Sequence, residues 1–82
     1  MNQLASELQK IYGGIVRGNY NSEQEFGEII GKNIPGYLEI YFRDNTLTAR
    51  CIYKGKTSTL NYIPLDPKKA AEHINDLLEP NL

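Results

Sequence analysis

A single cysteine, Cys51, leaves no partner for an intramolecular disulfide, which suits a reducing compartment. No apolar run is longer than a few residues, so nothing in the sequence spans a membrane as a helix. The opening Met1-Asn2-Gln3-Leu4-Ala5-Ser6-Glu7 lacks the basic start and apolar block of a signal peptide. A cytosolic protein is therefore expected. Charge of one sign is also missing: nine basic and ten acidic side chains leave a net charge of −1. Dedicated nucleic-acid binders usually carry a basic surplus, because neutralising phosphates drives their affinity. There is one histidine and no catalytic cluster around it. His73 and Asp76 form an i,i+3 pair beside Glu72, but a metal site needs at least one further ligand. The expectation is no metal, no cofactor and a solvated helix face.

What remains is an ordinary globular composition, 40% hydrophobic and 23% charged, over 82 residues. That length makes one domain, residues 1–82, with one modest core. A deep substrate cleft would take much of such a core.

Three stretches approach the phosphate-loop pattern G-x-x-x-x-G-K-[ST] and each fails. Gly55-Lys56-Thr57 has Arg50 where the first glycine belongs, and strand formers follow it instead of a helix. Gly13 to Gly18 has the glycine spacing but Asn19 in the lysine position. Gly27 to Gly31 is one residue short. Lys54-Gly55-Lys56 reads instead as a hairpin tip, glycine supplying positive φ and the lysines keeping the tip wet.

Leu4, Leu8, Ile11, Tyr12, Ile15 and Val16 recur at helical spacing, predicting a first helix from about Gln3 toward Arg17. Gly13 and Gly14 weaken it and leave open where it ends. Ser22 to Glu25 matches a capping box, and Phe26, Ile29 and Ile30 then share one helical face. A short second helix over 23–30 follows from that pattern, stopped by Gly31. Asn33 to Gly36 reads as a turn. Strict alternation predicts three strands, Tyr37–Arg43, Thr46–Tyr53 and Thr57–Ile63, joined by short turns into an antiparallel meander. Asp66-Pro67 opens a last helix whose buried stripe is Ala70, Ala71, Ile74, Leu77 and Leu78. The predicted fold is α+β, order α-α-β-β-β-α, with the helices on one face of a three-stranded sheet.

Alternation leaves the other face free. It carries Tyr37, Tyr41, Arg43, Thr46, Thr48 and Arg50, with Glu39 among them and Thr57, Thr59 and Asn61 as neighbours. Tyrosine and arginine together are favoured at binding hot spots, and they also suit the wet face of a sheet. Cys51 falls on the inward register, away from His73, where a free thiol acts as packing. The carboxylates are scattered without a catalytic pair. An enzyme is not expected.

Residues 37–79 resemble a recurring DNA-binding arrangement of three antiparallel strands and one helix. It occurs in the arm-binding domains of phage-type tyrosine recombinases and in plant ethylene-response-factor domains. The similar text is "ARCIYKGKTSTLNYIPLDPKKAAEHINDLL", with its Tyr-x-Gly-Lys hairpin and its helix opened by Asp-Pro-Lys-Lys-Ala-Ala. In those families the sheet enters the major groove. The resemblance therefore implies Arg43, Arg50, Lys54 and Lys56 as DNA contacts, with Tyr41 beside them. Two predicted helices before the sheet and the missing basic surplus depart from it. The element order is also similar to double-stranded-RNA-binding domains, whose last helix begins with a Lys-Lys pair like Lys68-Lys69; the extra helix, Glu72 and Asp76 depart from that pattern. Two functional readings stand. The first is a small non-enzymatic regulator or inhibitor, of the compact kind encoded by phages and mobile elements, that contacts a protein partner. Its expected contacts are Tyr37, Tyr41, Arg43, Arg50, Lys54 and Lys56. The alternative is a DNA- or RNA-binding domain using the same face, where residues 37–65 carry two more positive than negative side chains. A homodimer formed through sheet edges is a third arrangement.

Overall fold

The computed structural model describes residues 1–82 as one helix, five strands and a second helix, followed by a 3-10 turn. Helix α1 covers Asn2–Tyr12. Strands β1 (Val16–Asn21), β2 (Phe26–Gly31), β3 (Tyr37–Arg43), β4 (Thr46–Tyr53) and β5 (Lys56–Ile63) follow, then helix α2 (Pro67–Leu78). The strands form a single antiparallel sheet in sequence order, β1-β2-β3-β4-β5. The α+β class and the meander over β3–β5 agree with expectation. The strand number and the order α-α-β-β-β-α do not: the order is α-β-β-β-β-β-α, and the predicted second helix over 23–30 is turn and strand.

The reason lies in glycine. The helix-facing positions of β2 are Gly27, Ile29 and Gly31, so only one side chain reports the inward period of two. Outward, Phe26 and Ile30 supply apolar residues that, together with Ile29, imitate a helical stripe. The supposed capping box closes a hairpin instead. Asn21 Oδ1 accepts from the backbone N–H groups of Glu23 (3.0 Å) and Gln24 (3.2 Å), an Asx cap on a four-residue loop. Glu25, at φ 51, then turns the chain into β2. The glycines admit a close approach. A Cβ on Gly27 would lie 2.5 Å from Met1 Cε and 2.9 Å from the Asn19 carbonyl oxygen; one on Gly18 would lie 2.7 Å from Met1 Cγ. The Met1 side chain thus sits in a notch spanning β1 and β2.

Helix α1 stops five residues short of Arg17. Gly13 (φ 74, ψ 179) and Gly14 (φ 71) both take positive φ, which glycine tolerates, and break it. The Gly13 N–H still bonds the Gln9 carbonyl at 2.8 Å, and the Gln9 side chain accepts from Val16 N at 3.0 Å. Helix α2 begins as expected: the Asp66 side chain accepts from Lys69 N at 3.1 Å, with Pro67 at the first helical position. Both helices cover one sheet face. Leu4, Ala5 and Leu8 from α1 meet Ala70, Ala71, Ile74 and Leu78 from α2 over Val16, Ile29, Leu38, Ile40, Ala49, Cys51 and Ile63. The Tyr12 hydroxyl donates to Asn75 Oδ1 at 2.7 Å and ties the helices together. No helix is long and apolar enough to cross a membrane.

The turns β3–β4 and β4–β5 are two-residue loops with both central residues at positive φ: Asp44 and Asn45 (52° and 60°), then Lys54 and Gly55 (50° and 78°). Such turns match the right-handed twist of the paired strands. In β5 an extra residue enters between Leu60 and Ile63, where Tyr62 has φ 60, so the edge strand is bulged.

Candidate functional site

The sheet face away from the helices has no layer over it. Register aligns its side chains in rows across the strands. The central row reads Asn19, Glu28, Glu39, Arg50 and Thr59, each the direct partner of the next. On one side of it lie Asn21, Phe26, Tyr41 and Thr48, with Asn61 completing the row through a 3.1 Å bond to the Thr48 hydroxyl. On the other side lie Arg17, Ile30, Tyr37, Ile52 and Thr57, where the β2–β3 register sets Ile30 beside Tyr37. The face is thus a polar band between two partly apolar ones. Phe26 and Tyr41 pack with ring centroids 5.0 Å apart at 54°. Ile30, 55% exposed, is unusually open for a branched aliphatic residue in a central strand.

The band has uneven electrostatics. Glu28 and Glu39 are directly opposed on β2 and β3. Like charges so placed disfavour the pairing, since cross-strand Cβ atoms are only ~5 Å apart. Glu39 is largely enclosed, its side chain 15% exposed, and Arg50 Nε lies 3.4 Å from its Oε1. That contact is an ion pair without hydrogen-bond alignment, so the buried Oε1 has no hydrogen-bond partner. Burial first, and then the neighbouring carboxylates of Glu28 and Glu39, push the Tyr37 phenol up to about 12.

The expected contact residues divide. Tyr37, Tyr41 and Arg50 share the open face. Arg43 stands at one end of it, opposite Thr46. Lys54 is in the β4–β5 turn, its Nζ 5.1 Å from the Tyr53 ring centroid. Lys56 pairs with Tyr53, which shares its side of the strand with Cys51, so Lys56 lies on the helix side. The Lys54–Lys56 tip and Arg43 therefore occupy opposite ends of β4, separated by roughly seven residues of strand, or about 23 Å. The four basic side chains form no continuous track. Glu28, Phe26 and Ile30 were missed by sequence reasoning. The one local signal against a helix was the poor fit of Gly27 inside it.

Elsewhere the chemistry is sparse. Cys51 is buried; its Sγ donates to the Pro35 carbonyl at 3.3 Å and accepts from Asn81 Nδ2 at 3.7 Å. Burial pushes its thiol up, against the lowering effect of the Asn81 hydrogen bond. His73 is exposed on the outer face of α2. On the helix side a cleft of about 240 Å³ opens among Met1, Leu4, Tyr20, Phe42, Leu47 and Leu65, with Gln3, Pro67 and Ala70 completing its wall. It presents no carboxylate, imidazole or thiol.

Comparison of the chain with family models, with curated proteins and with solved structures gives no match.

Proposed function

We propose that this chain is a small non-catalytic binding protein that regulates or inhibits a protein partner through the open face of its sheet. The supporting observation is the arrangement of that face: Phe26 and Tyr41 on one side, Ile30, Tyr37 and Ile52 on the other, and a Glu28–Glu39–Arg50 band between them. Partly exposed aromatic and aliphatic side chains around a compact charged centre have the composition of a protein-binding hot spot. Tyrosine contributes wide contact area at little entropic cost, and arginine a planar array of donors.

The nucleic-acid reading uses the same surface. Phosphate would approach a directly opposed glutamate pair there, and Arg43 and Lys54 stand too far apart to act with Arg50 as one track. The protein-partner reading is preferred for that reason. The test is an affinity capture with wild type and the Tyr41→Ala/Arg50→Ala variant, circular dichroism confirming that both are folded. The double change is expected to abolish capture. Capture that survives it removes this face from the account. A parallel anisotropy titration with short duplex DNA, duplex RNA and single strands is expected to stay flat at low and moderate salt. Salt-sensitive binding would instead support the nucleic-acid reading.

A further inference from the structure

We infer that the partner presents an arginine or lysine side chain, seated on the Glu28–Glu39 pair between Tyr37 and Tyr41. This deepens the reading above and rests on the open face being the contact surface. The charge balance of the central row is the first ground. Two directly opposed carboxylates face one guanidinium, so the row carries one uncompensated negative charge. The second ground is hydrogen bonding. Arg50 reaches Glu39 Oε1 at 3.4 Å out of alignment, and that oxygen, shielded from water, has no donor. A buried carboxylate oxygen without a donor is unfavourable; it has no surface for a direct bond from outside, so a cation seated over the pair offsets its charge by proximity. The third ground is shape. The carboxylate pair is bracketed by the phenol rings of Tyr37 and Tyr41, so a cationic head over the pair lays its aliphatic stem against aromatic surface. A planar guanidinium can donate to both carboxylates at once, which makes arginine the better occupant. An acidic partner would add negative charge to an already repulsive pair.

A displayed library of random twelve-residue peptides tests the inference, selected on the wild-type protein. Enriched peptides are then measured against Glu28→Gln/Glu39→Gln and against Tyr41→Ala/Arg50→Ala. Both variants are checked for folding by circular dichroism, and their mass in solution is recorded. The expected result is enrichment of arginine or lysine beside an apolar residue. Affinity should fall at least tenfold against the double glutamine variant, and it should also fall against the Tyr41/Arg50 variant, where the lost aromatic contact outweighs the removal of the competing Arg50 charge. Peptides that lose affinity with Tyr41 and Arg50 but lack a basic residue, or ignore the glutamine changes, would overturn the cationic partner and leave the face in place. Peptides indifferent to both variants, or none enriched, would count against the face itself. A wild-type dimer that dissociates in the Tyr41/Arg50 variant would make a second copy the occupant and overturn the inference.

Discussion

Gly36 is the residue whose replacement the fold tolerates least by geometry. It sits at φ 97, and a Cβ there would lie 2.6 Å from the Ile52 carbonyl oxygen and 2.9 Å from Cys51 Sγ. The first is backbone of the neighbouring strand and cannot rotate away. Gly36→Ala is expected to cost about 2 kcal/mol or more, read as a lower urea midpoint with an unchanged slope. Tyr37 makes a separate prediction. Its phenol is raised from an ordinary value of 10 to about 12 by burial first and by Glu28 next. The folded state therefore holds the proton more tightly than the unfolded chain. The resulting stability is fully present below pH 10 and is lost as pH rises toward 12. In a phenolate absorbance titration, the difference between wild type and Tyr37→Phe should be close to zero at pH 10.5. Glu28→Gln should move that ionisation downward, but not fully to 10, because burial remains. A Tyr37 signal titrating normally near 10 in both proteins would contradict the assigned contact.

At the scale of elements, the contrast between the two ends of the sheet explains what the sequence could and could not disclose. Strands β3 and β4 carry a side chain at every inward position, from Leu38 and Ile40 to Ala49 and Cys51, so alternation found both with their observed bounds. Strand β5 starts one residue earlier than expected because Lys56 pairs with Tyr53. Helix α2 announced itself through Asp66-Pro67 and its apolar stripe. Strands β1 and β2 were hidden because Gly18, Gly27 and Gly31 occupy inward positions, where Met1, Val16 and Ile34 fill the space their side chains would take. That close approach is a tertiary fact no local pattern contains. Half of the open face was lost with those strands, including Glu28. Gly27→Ala tests the account of the notch. The added methyl group would meet the backbone oxygen of Asn19, so about 1–3 kcal/mol of destabilisation is expected, measured by urea unfolding. A neutral or stabilising effect would mean that the backbones of β1 and β2 do not approach so closely at Gly27. The exposed edge β5 is blunted against pairing by its bulge, by Tyr62 at φ 60 and by Lys56 at its start.

Over the whole molecule, the two helices and one sheet face are spent on the core, and the opposite face is left with uncovered aromatic rings, an exposed isoleucine and an unbalanced carboxylate pair. Under the proposed function, stability and binding fall on different sides of the same five strands. The side chains proposed for binding can be changed without entering the core cluster, since Glu28, Tyr41 and Arg50 are absent from it. The most direct measurement is a backbone-amide chemical-shift map of the labelled protein as a captured partner is added. The account predicts that the largest changes fall on residues 26–30, 37–43 and 48–52, with the outer faces of α1 and α2 quiet. Changes confined to the helices, or to the cleft around Leu4, Phe42 and Leu65, would contradict it.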